Sequence, residues 1–198
     1  MKLSYDDVKQ VFLNKGYTFF DTGSYNLNLF GIRSGHPRVN EFNDWIGIVF
    51  KDALGNKQAI GFKASTDPGY YWLKHQLGNI NGTAILCPGQ YRHCWVVGTH
   101  QGYEALQQSP GARFLVWRDN NANGILDESG PVYNDVSGLN CHTTSFRTEV
   151  DRVGRYSAGC QVIQDDLDFL IFLSIVRKSA DMYGNSFTYT LFRDNDFR

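Results

Sequence analysis

The feature that most constrains this fold is a series of short alternating apolar runs separated by turns that contain glycine or proline. Residues 45–50 and 58–63 form two such runs, and residues 52–56 between them carry the glycine of a hairpin turn. Further runs of this kind cover residues 83–87, 91–97, 113–118 and 187–192. This pattern predicts an α+β fold, mainly an antiparallel β sandwich or barrel with a few packed helices.

Two longer segments follow helical spacing. Ser4 and Asp7 form an N-cap and N3 pair ahead of apolar residues at helical spacing, which predicts a helix over residues 5–15. Acidic residues precede an apolar segment that predicts a second helix over residues 166–179, buried nearly all round. Residues 103–108 indicate one or two further helical turns. We expect residues 1–44 to be an N-terminal elaboration on a domain spanning residues 45–198.

Composition excludes several classes of function. The net charge is −1 and no basic run occurs among the 198 residues, so nucleic acid is not an expected partner. No apolar stretch is long enough to span a membrane, and the first residues lack the apolar core of an export signal. We therefore expect a monomer that is made in the cytoplasm and whose four cysteines are reduced.

Two patterns raise the question of metal binding. Cys87, His93, Cys94 and His100 lack the close pairs typical of a zinc site. His100 is interpreted as a surface histidine, and the alternative is a residue that borders a groove near Cys160 and His142. Residues 119–127 resemble the first nine positions of an EF-hand loop, but a glycine occupies the twelfth position. Two interpretations stay open, a weak calcium loop or a hairpin tip rich in Asx turns. No metal site and no cofactor is predicted.

Cys160 and His142 are the candidate reactive groups. His142 lies near the end of one apolar run, and Cys160 ends a turn of small residues that leads into another. The simplest geometry has two adjacent strands, joined by a long polar loop, that bring the two side chains face to face. A free thiol has a pKa of about 8.5, and an imidazole within hydrogen-bond reach can take its proton to give a nucleophile.

Gly159 supplies a second element of this chemistry. Glycine adopts backbone angles that other residues avoid, so the amides of Gly159 and Cys160 could turn toward one point and stabilise an oxyanion. These residues predict acyl transfer through a thioester. The alternative interpretation is a buried structural cysteine beside a surface histidine.

The same residues carry a resemblance to a known family. His142, fourteen residues, Ser157, one residue, Gly159 and Cys160 resemble the signature of the L,D-transpeptidase catalytic domain, in which a histidine precedes Ser/Thr-His-Gly-Cys. The resemblance covers about 30 residues closely and extends loosely back to about residue 80. It implies that Cys160 is the nucleophile, that His142 is the general base, and that residues 45–198 are the catalytic domain.

Two positions depart from the family pattern. Ala158 stands in place of the second histidine, and Val162 stands in place of the Arg or Asn usual two residues after the cysteine. These departures affect recognition of a substrate carboxylate and the choice between transfer and hydrolysis. They leave the cysteine and histidine pair intact.

The resemblance implies an enzyme that acts on peptidoglycan stem peptides. Because no export signal is predicted, we expect a carboxypeptidase or endopeptidase of phage endolysin type that reaches the wall after release. The alternatives are a cross-linking L,D-transpeptidase and an inactive wall-binding or structural module. Substrate binding is expected at Ser157, Tyr156, Arg155 and Thr143, with Arg152 as a second cation for a carboxylate.

Overall fold

The computed structural model describes residues 3–36, 38–75, 81–135, 138–146 and 150–198. Within these ranges the helices are α1 (Tyr5–Asn14), α2 (Tyr70–Lys74) and α3 (Asp166–Tyr183), and a 3₁₀ turn covers Asp194–Phe197. The described strands are β1 (Asn28–Arg33), β2 (Asp44–Lys51), β3 (Lys57–Ser65), β4 (Thr83–Leu86), β5 (Gly89–His100), β6 (Tyr103–Gln108), β7 (Phe114–Asp119), β8 (Tyr133–Asp135), β9 (Cys141–Thr143), β10 (Gln161–Ile163) and β11 (Phe187–Arg193).

Eight of these strands close a barrel in the order β1-β11-β5-β6-β9-β10-β3-β2. The pairs β1 with β11 and β9 with β10 are parallel, and the other pairs around the barrel are antiparallel. The remaining strands form a separate antiparallel sheet in the order β4-β7-β8. The α+β class and the mainly antiparallel sheet predicted from the sequence are confirmed.

One hydrophobic core joins the barrel to the small sheet and to α3. It contains Ile46 and Leu106 from the barrel, Val116 from the small sheet, and Phe169 and Phe172 from α3. Burial of side chains of this size is worth about 1.5–3 kcal/mol each, so this shared core holds the three layers together.

The predicted first helix is confirmed. The Ser4 side chain accepts from the Asp7 backbone N–H, and the Asp7 side chain accepts from the Ser4 backbone N–H, so both halves of the capping box are present at the start of α1. The division expected at residue 44 does not appear as a break in the structure. β1 lies within the barrel between β2 and β11, so strand pairing joins residues 28–33 to the rest of the chain.

Two predictions about helices are wrong. Residues 103–108 form strand β6, because pairing with β5 along residues 103–108 overrides the helical preference of that short segment. The helix predicted over residues 166–179 exists as α3, but it is buried on one side only. Leu167, Leu170 and Ile171 are exposed, because a helix that packs on a core along one face leaves the opposite face in solvent.

The EF-hand-like segment is a loop built on Asx turns. Asn121 Oδ1 accepts from Asn123 N at 3.0 Å, Asn123 Oδ1 accepts from Ile125 N at 2.7 Å, and Asp119 Oδ2 accepts from Asp127 N at 3.2 Å. The loop follows strand β7, and no helix precedes it. Calcium binding by this loop stays untested.

Candidate active site

Strands β9 and β10 place the two candidate reactive residues on one face of the sheet. They pair in parallel, with Gln161 opposite Cys141 and Val162 opposite His142. Cys160 and Val162 share one small hydrophobic cluster, so they lie on the same side of β10. Opposite residues on neighbouring strands point to the same face, and His142 is therefore on the face that carries Cys160. Of the long connection between the two residues, positions 147–149 lie outside the described residues.

Cys160 lies at the wall of a cavity, and the residue as a whole is 9% exposed. Its S–H donates to the Gly138 carbonyl at a sulfur–oxygen distance of 3.7 Å, and the Asn140 backbone N–H donates to the sulfur. Burial raises the pKa of the Cys160 thiol to about 11, and the Asn140 hydrogen bond only partly offsets this effect. The resting sulfur is therefore a thiol at neutral pH.

His142 is oriented by the carbonyl of the next residue. Its Nδ1 lies 2.7 Å from the Thr143 carbonyl oxygen, and because that oxygen can only accept, Nδ1 carries the ring proton. The Tyr103 hydroxyl donates to the same carbonyl at 3.1 Å. The other nitrogen, Nε2, is buried without a hydrogen-bond partner among the described residues, and it carries a lone pair. This tautomer is the one that a general base needs.

Burial keeps the His142 imidazole neutral. Burial lowers the pKa of His142 to about 4, the Thr143 hydrogen bond works in the opposite direction, and the nearby ring of His100 lowers the pKa further. At neutral pH the site therefore contains a neutral thiol and a neutral imidazole. Such a pair would react by general-base catalysis, in which the thiol proton moves to Nε2 as the sulfur attacks.

A cavity of about 520 Å³ opens onto this pair. Cys160 and His142 both line it, together with His100, Tyr156 and two arginines, Arg118 and Arg155. No acidic side chain is among its described lining residues. Arg118 is already paired with Asp135, so Arg155 is the lining cation that could meet a ligand with negative charge.

Hydrogen bonds within the turn stabilise the segment before the thiol. Ser157 Oγ donates to the Cys160 carbonyl at 2.8 Å and accepts from the Gly159 N–H at 3.1 Å. The turn is also tied to the start of α2, because the Gly69 N–H donates to the Ser157 carbonyl at 2.8 Å. The Gly159 N–H, predicted as an oxyanion donor, is thus engaged by the Ser157 hydroxyl.

Gly159 is required at its position by both conformation and space. Its φ is +119°, a value that residues with a side chain rarely adopt. A Cβ atom there would lie 2.5 Å from the Ala84 carbonyl oxygen and 2.9 Å from the Leu139 side chain. The expectation that a glycine shapes the turn before the thiol therefore has a direct structural basis.

Of the other predicted site residues, two line the cavity and two do not. Tyr156 and Arg155 line the cavity, and the Arg155 guanidinium lies 4.0 Å from the centre of the Tyr71 ring. Arg152 instead pairs with Glu41 at 3.2 Å. Thr143 is fully buried and its hydroxyl donates to the Ile163 carbonyl, so it reaches the site through its own carbonyl, which orients His142.

Sequence reasoning missed Asn140 and, of two interpretations for His100, preferred the wrong one. Asn140 contacts the site three times, through its backbone N–H to Cys160, its carbonyl to Gln161 N, and its side chain to His100. The ring centres of His100 and His142 are 4.7 Å apart, and both rings line the cavity, so His100 is not the plain surface residue expected. Only the position of Asn140 just before β9 could have drawn attention to it.

The described residues contain no group of three or more His, Cys, Asp or Glu side chains that could hold a metal ion. All four cysteines are free thiols. No described helix is long and apolar enough to cross a membrane.

No protein-family model, curated protein or solved structure matches this chain.

Proposed function

We propose that this protein is a cysteine-dependent enzyme of the L,D-transpeptidase type that hydrolyses peptidoglycan stem peptides through a thioester on Cys160. The observation that carries the proposal is that Cys160 and His142 line one cavity, while His142 Nε2 is buried without a hydrogen-bond partner among the described residues. The motif around Cys160 and the tautomer of His142 support it independently of each other.

The reaction uses these groups in sequence. His142 Nε2 takes the thiol proton as Cys160 Sγ bonds to the amide carbon, and the carbonyl electrons move to oxygen. The intermediate collapses when the C–N bond breaks, and His142 returns the proton to the leaving amine. Water, activated by the same imidazole, then hydrolyses the thioester. The Thr143 carbonyl keeps the ring aligned throughout, since it bonds Nδ1 at 2.7 Å.

The cavity suits an anionic peptide. Arg155 lines it with its guanidinium over the Tyr71 ring, Arg118 lines it while paired with Asp135, and Trp72 and Tyr156 provide apolar walls. Stem peptides carry free carboxylates close to the bonds that such enzymes cleave, so charge complementarity supports this substrate class.

The test is digestion of purified muropeptides followed by mass spectrometry of the products. Wild type should release shortened or uncrosslinked stems, and Cys160→Ala should release none. Cys160→Ser is the matched control, because it keeps a nucleophile of similar size but with a far less reactive oxygen. Unchanged muropeptides with wild-type protein would refute the proposal.

A second candidate is a wall-binding module that has lost the chemistry. The resting contact of the Cys160 S–H with the Gly138 carbonyl, rather than with His142, favours it. In that case wild type and Cys160→Ala should bind muropeptides equally and leave them intact.

A further inference from the structure

The hydrogen bonds around His100 determine which of its nitrogens carries the proton. The backbone N–H of Gln108 donates to Asn140 Oδ1 at 2.9 Å, and a backbone N–H can only donate, so this assigns the oxygen of the Asn140 amide. The other end, Nδ2, lies 3.1 Å from His100 Nδ1 and donates to it. His100 Nδ1 is therefore the acceptor, and the ring proton of the neutral imidazole lies on Nε2.

The two neighbouring histidines thus carry opposite tautomers. His142 has its proton on Nδ1 and a lone pair on Nε2, whereas His100 has a lone pair on Nδ1 and its proton on Nε2. Their ring centres are 4.7 Å apart on the wall of one cavity. One ring offers an acceptor for a proton, and the other offers a donor for a hydrogen bond.

The proposed reaction needs such a donor. When Cys160 adds to an amide carbon, the carbonyl oxygen gains negative charge and needs N–H groups directed at it. The Gly159 N–H is bonded to Ser157 Oγ at 3.1 Å inside the turn, so it is not directed to the cavity in this state. The family position that normally holds a second histidine is Ala158 here.

We propose that His100, through Nε2–H, is an oxyanion donor for the substrate carbonyl at this site. This inference rests on the proposed function, because it assigns a role in the reaction at Cys160. No proton leaves His100 during the step. Its imidazole stays neutral and donates a hydrogen bond, while the thiol proton passes to His142 and then to the leaving amine.

The state of His100 at neutral pH agrees with this role. Burial lowers the pKa of His100, so the ring is neutral at pH 7 and has one N–H to donate. The hydrogen bond from Asn140 Nδ2 to His100 Nδ1 keeps the ring proton on Nε2. The donor is thus fixed before the substrate arrives, as an oxyanion donor should be.

The first test is a nitrogen-15 NMR spectrum of the histidine side chains in the wild-type protein at pH 7. We expect His100 to be protonated on Nε2 and His142 on Nδ1, with the His100 signals assigned by their loss in His100→Gln. A His100 ring protonated on Nδ1 would overturn the inference whether or not the protein is an enzyme.

The second test compares turnover of muropeptides by two variants. His100→Phe keeps a ring against His142 and removes the donor, so kcat should fall about 100-fold with little change in KM. His100→Gln retains a side-chain N–H and should recover most of that loss. A merely structural role would instead make both variants unfold at lower temperature.

The outcomes separate the two proposals. If wild type cleaves muropeptides, Cys160→Ala does not, and His100→Phe is as active as wild type, the proposed function stands and the inference about His100 is wrong. If wild type itself cleaves nothing, the proposed function fails, and the catalytic role of His100 fails with it.

Discussion

Acidification should reveal how strongly the fold holds His142 in its neutral form. Burial lowers the pKa of this imidazole from 6.5 to about 4. The folded state therefore resists the proton that the unfolded chain accepts. The stability that neutral His142 contributes is fully present above pH 6.5 and is lost as the pH falls through 4.

The shift sets the size of the effect. The folded and unfolded pKa values differ by about 2.5 units, and each unit is worth about 1.4 kcal/mol, so His142 accounts for about 3 kcal/mol of pH-dependent stability. Because its residue is 2% exposed, solvent screening reduces this figure little. The free energy of unfolding of wild type should lose about that amount through this group between pH 7 and pH 4.

Asp67 changes the free energy of unfolding in the opposite direction as the pH falls, so a matched variant is needed to isolate His142. Burial raises the pKa of Asp67 to about 7, and protonation of this group stabilises the folded state as the pH falls. His142→Asn removes the titrating ring, and its amide N–H can take the place of Nδ1–H toward the Thr143 carbonyl. The difference between the two proteins isolates His142.

The assay is urea unfolding of wild type and His142→Asn at pH 7, 5.5 and 4. The wild-type advantage in unfolding free energy should fall by about 3 kcal/mol across this range. Two curves that stay parallel from pH 7 to pH 4 would mean that burial does not lower the pKa of His142 in the folded state.

Two further substitutions test how the site is supported. Gly159→Ala should cost about 3–5 kcal/mol of stability, because the added Cβ would lie 2.5 Å from the Ala84 carbonyl oxygen at a φ of +119°. Gly154→Ala in the same loop is the control and should cost about 1 kcal/mol, because its Cβ would lie 3.8 Å from the nearest neighbour. Equal losses of stability in urea unfolding would contradict the packing described. Arg33→Met should cost about 3–5 kcal/mol of stability, because the buried guanidinium pairs with Asp67 at 2.7 Å. Lys57→Met breaks an exposed ion pair with Asp6 and should cost less than about 1 kcal/mol. A similarly small loss of stability in Arg33→Met would show that the buried ion pair is not needed for folding.

The strands around the site were predictable because their local patterns agree with the tertiary structure. Apolar runs on either side of a polar connection indicated that His142 lies near the end of one strand and Cys160 at the start of an adjacent one, and β9 and β10 are neighbours. The capping box at Ser4 is a purely local signal, and α1 follows from it. The need for a glycine before the thiol was also predicted from the sequence. The structure supplies the reason, because the conformation of Gly159 and its close approach to β4 exclude a side chain.

Features that depend on contacts between distant residues were not predictable. β6 was taken for a helix because its preference is decided by β5 and not by its own sequence. The role of Asn140 rests on Gln108 and His100, each more than thirty residues away along the chain. Likewise, only the structure shows that Ser157 takes the Gly159 N–H, and this changes which groups can stabilise an oxyanion.

The central claim is that Cys160 is a nucleophile activated by His142. The L,D-transpeptidases that the chain resembles are acylated on their active-site cysteine by carbapenems, so intact-protein mass spectrometry after carbapenem treatment at pH 7 tests the claim directly. The other three thiols, Cys87, Cys94 and Cys141, are buried and are not among the described lining residues of the cavity, so each serves as an internal control.

We expect one adduct on wild type, peptide mapping that places it on Cys160, no adduct on Cys160→Ala, and at least tenfold slower acylation of His142→Asn. An unmodified wild-type protein, or acylation that is equally fast in His142→Asn, would contradict the account.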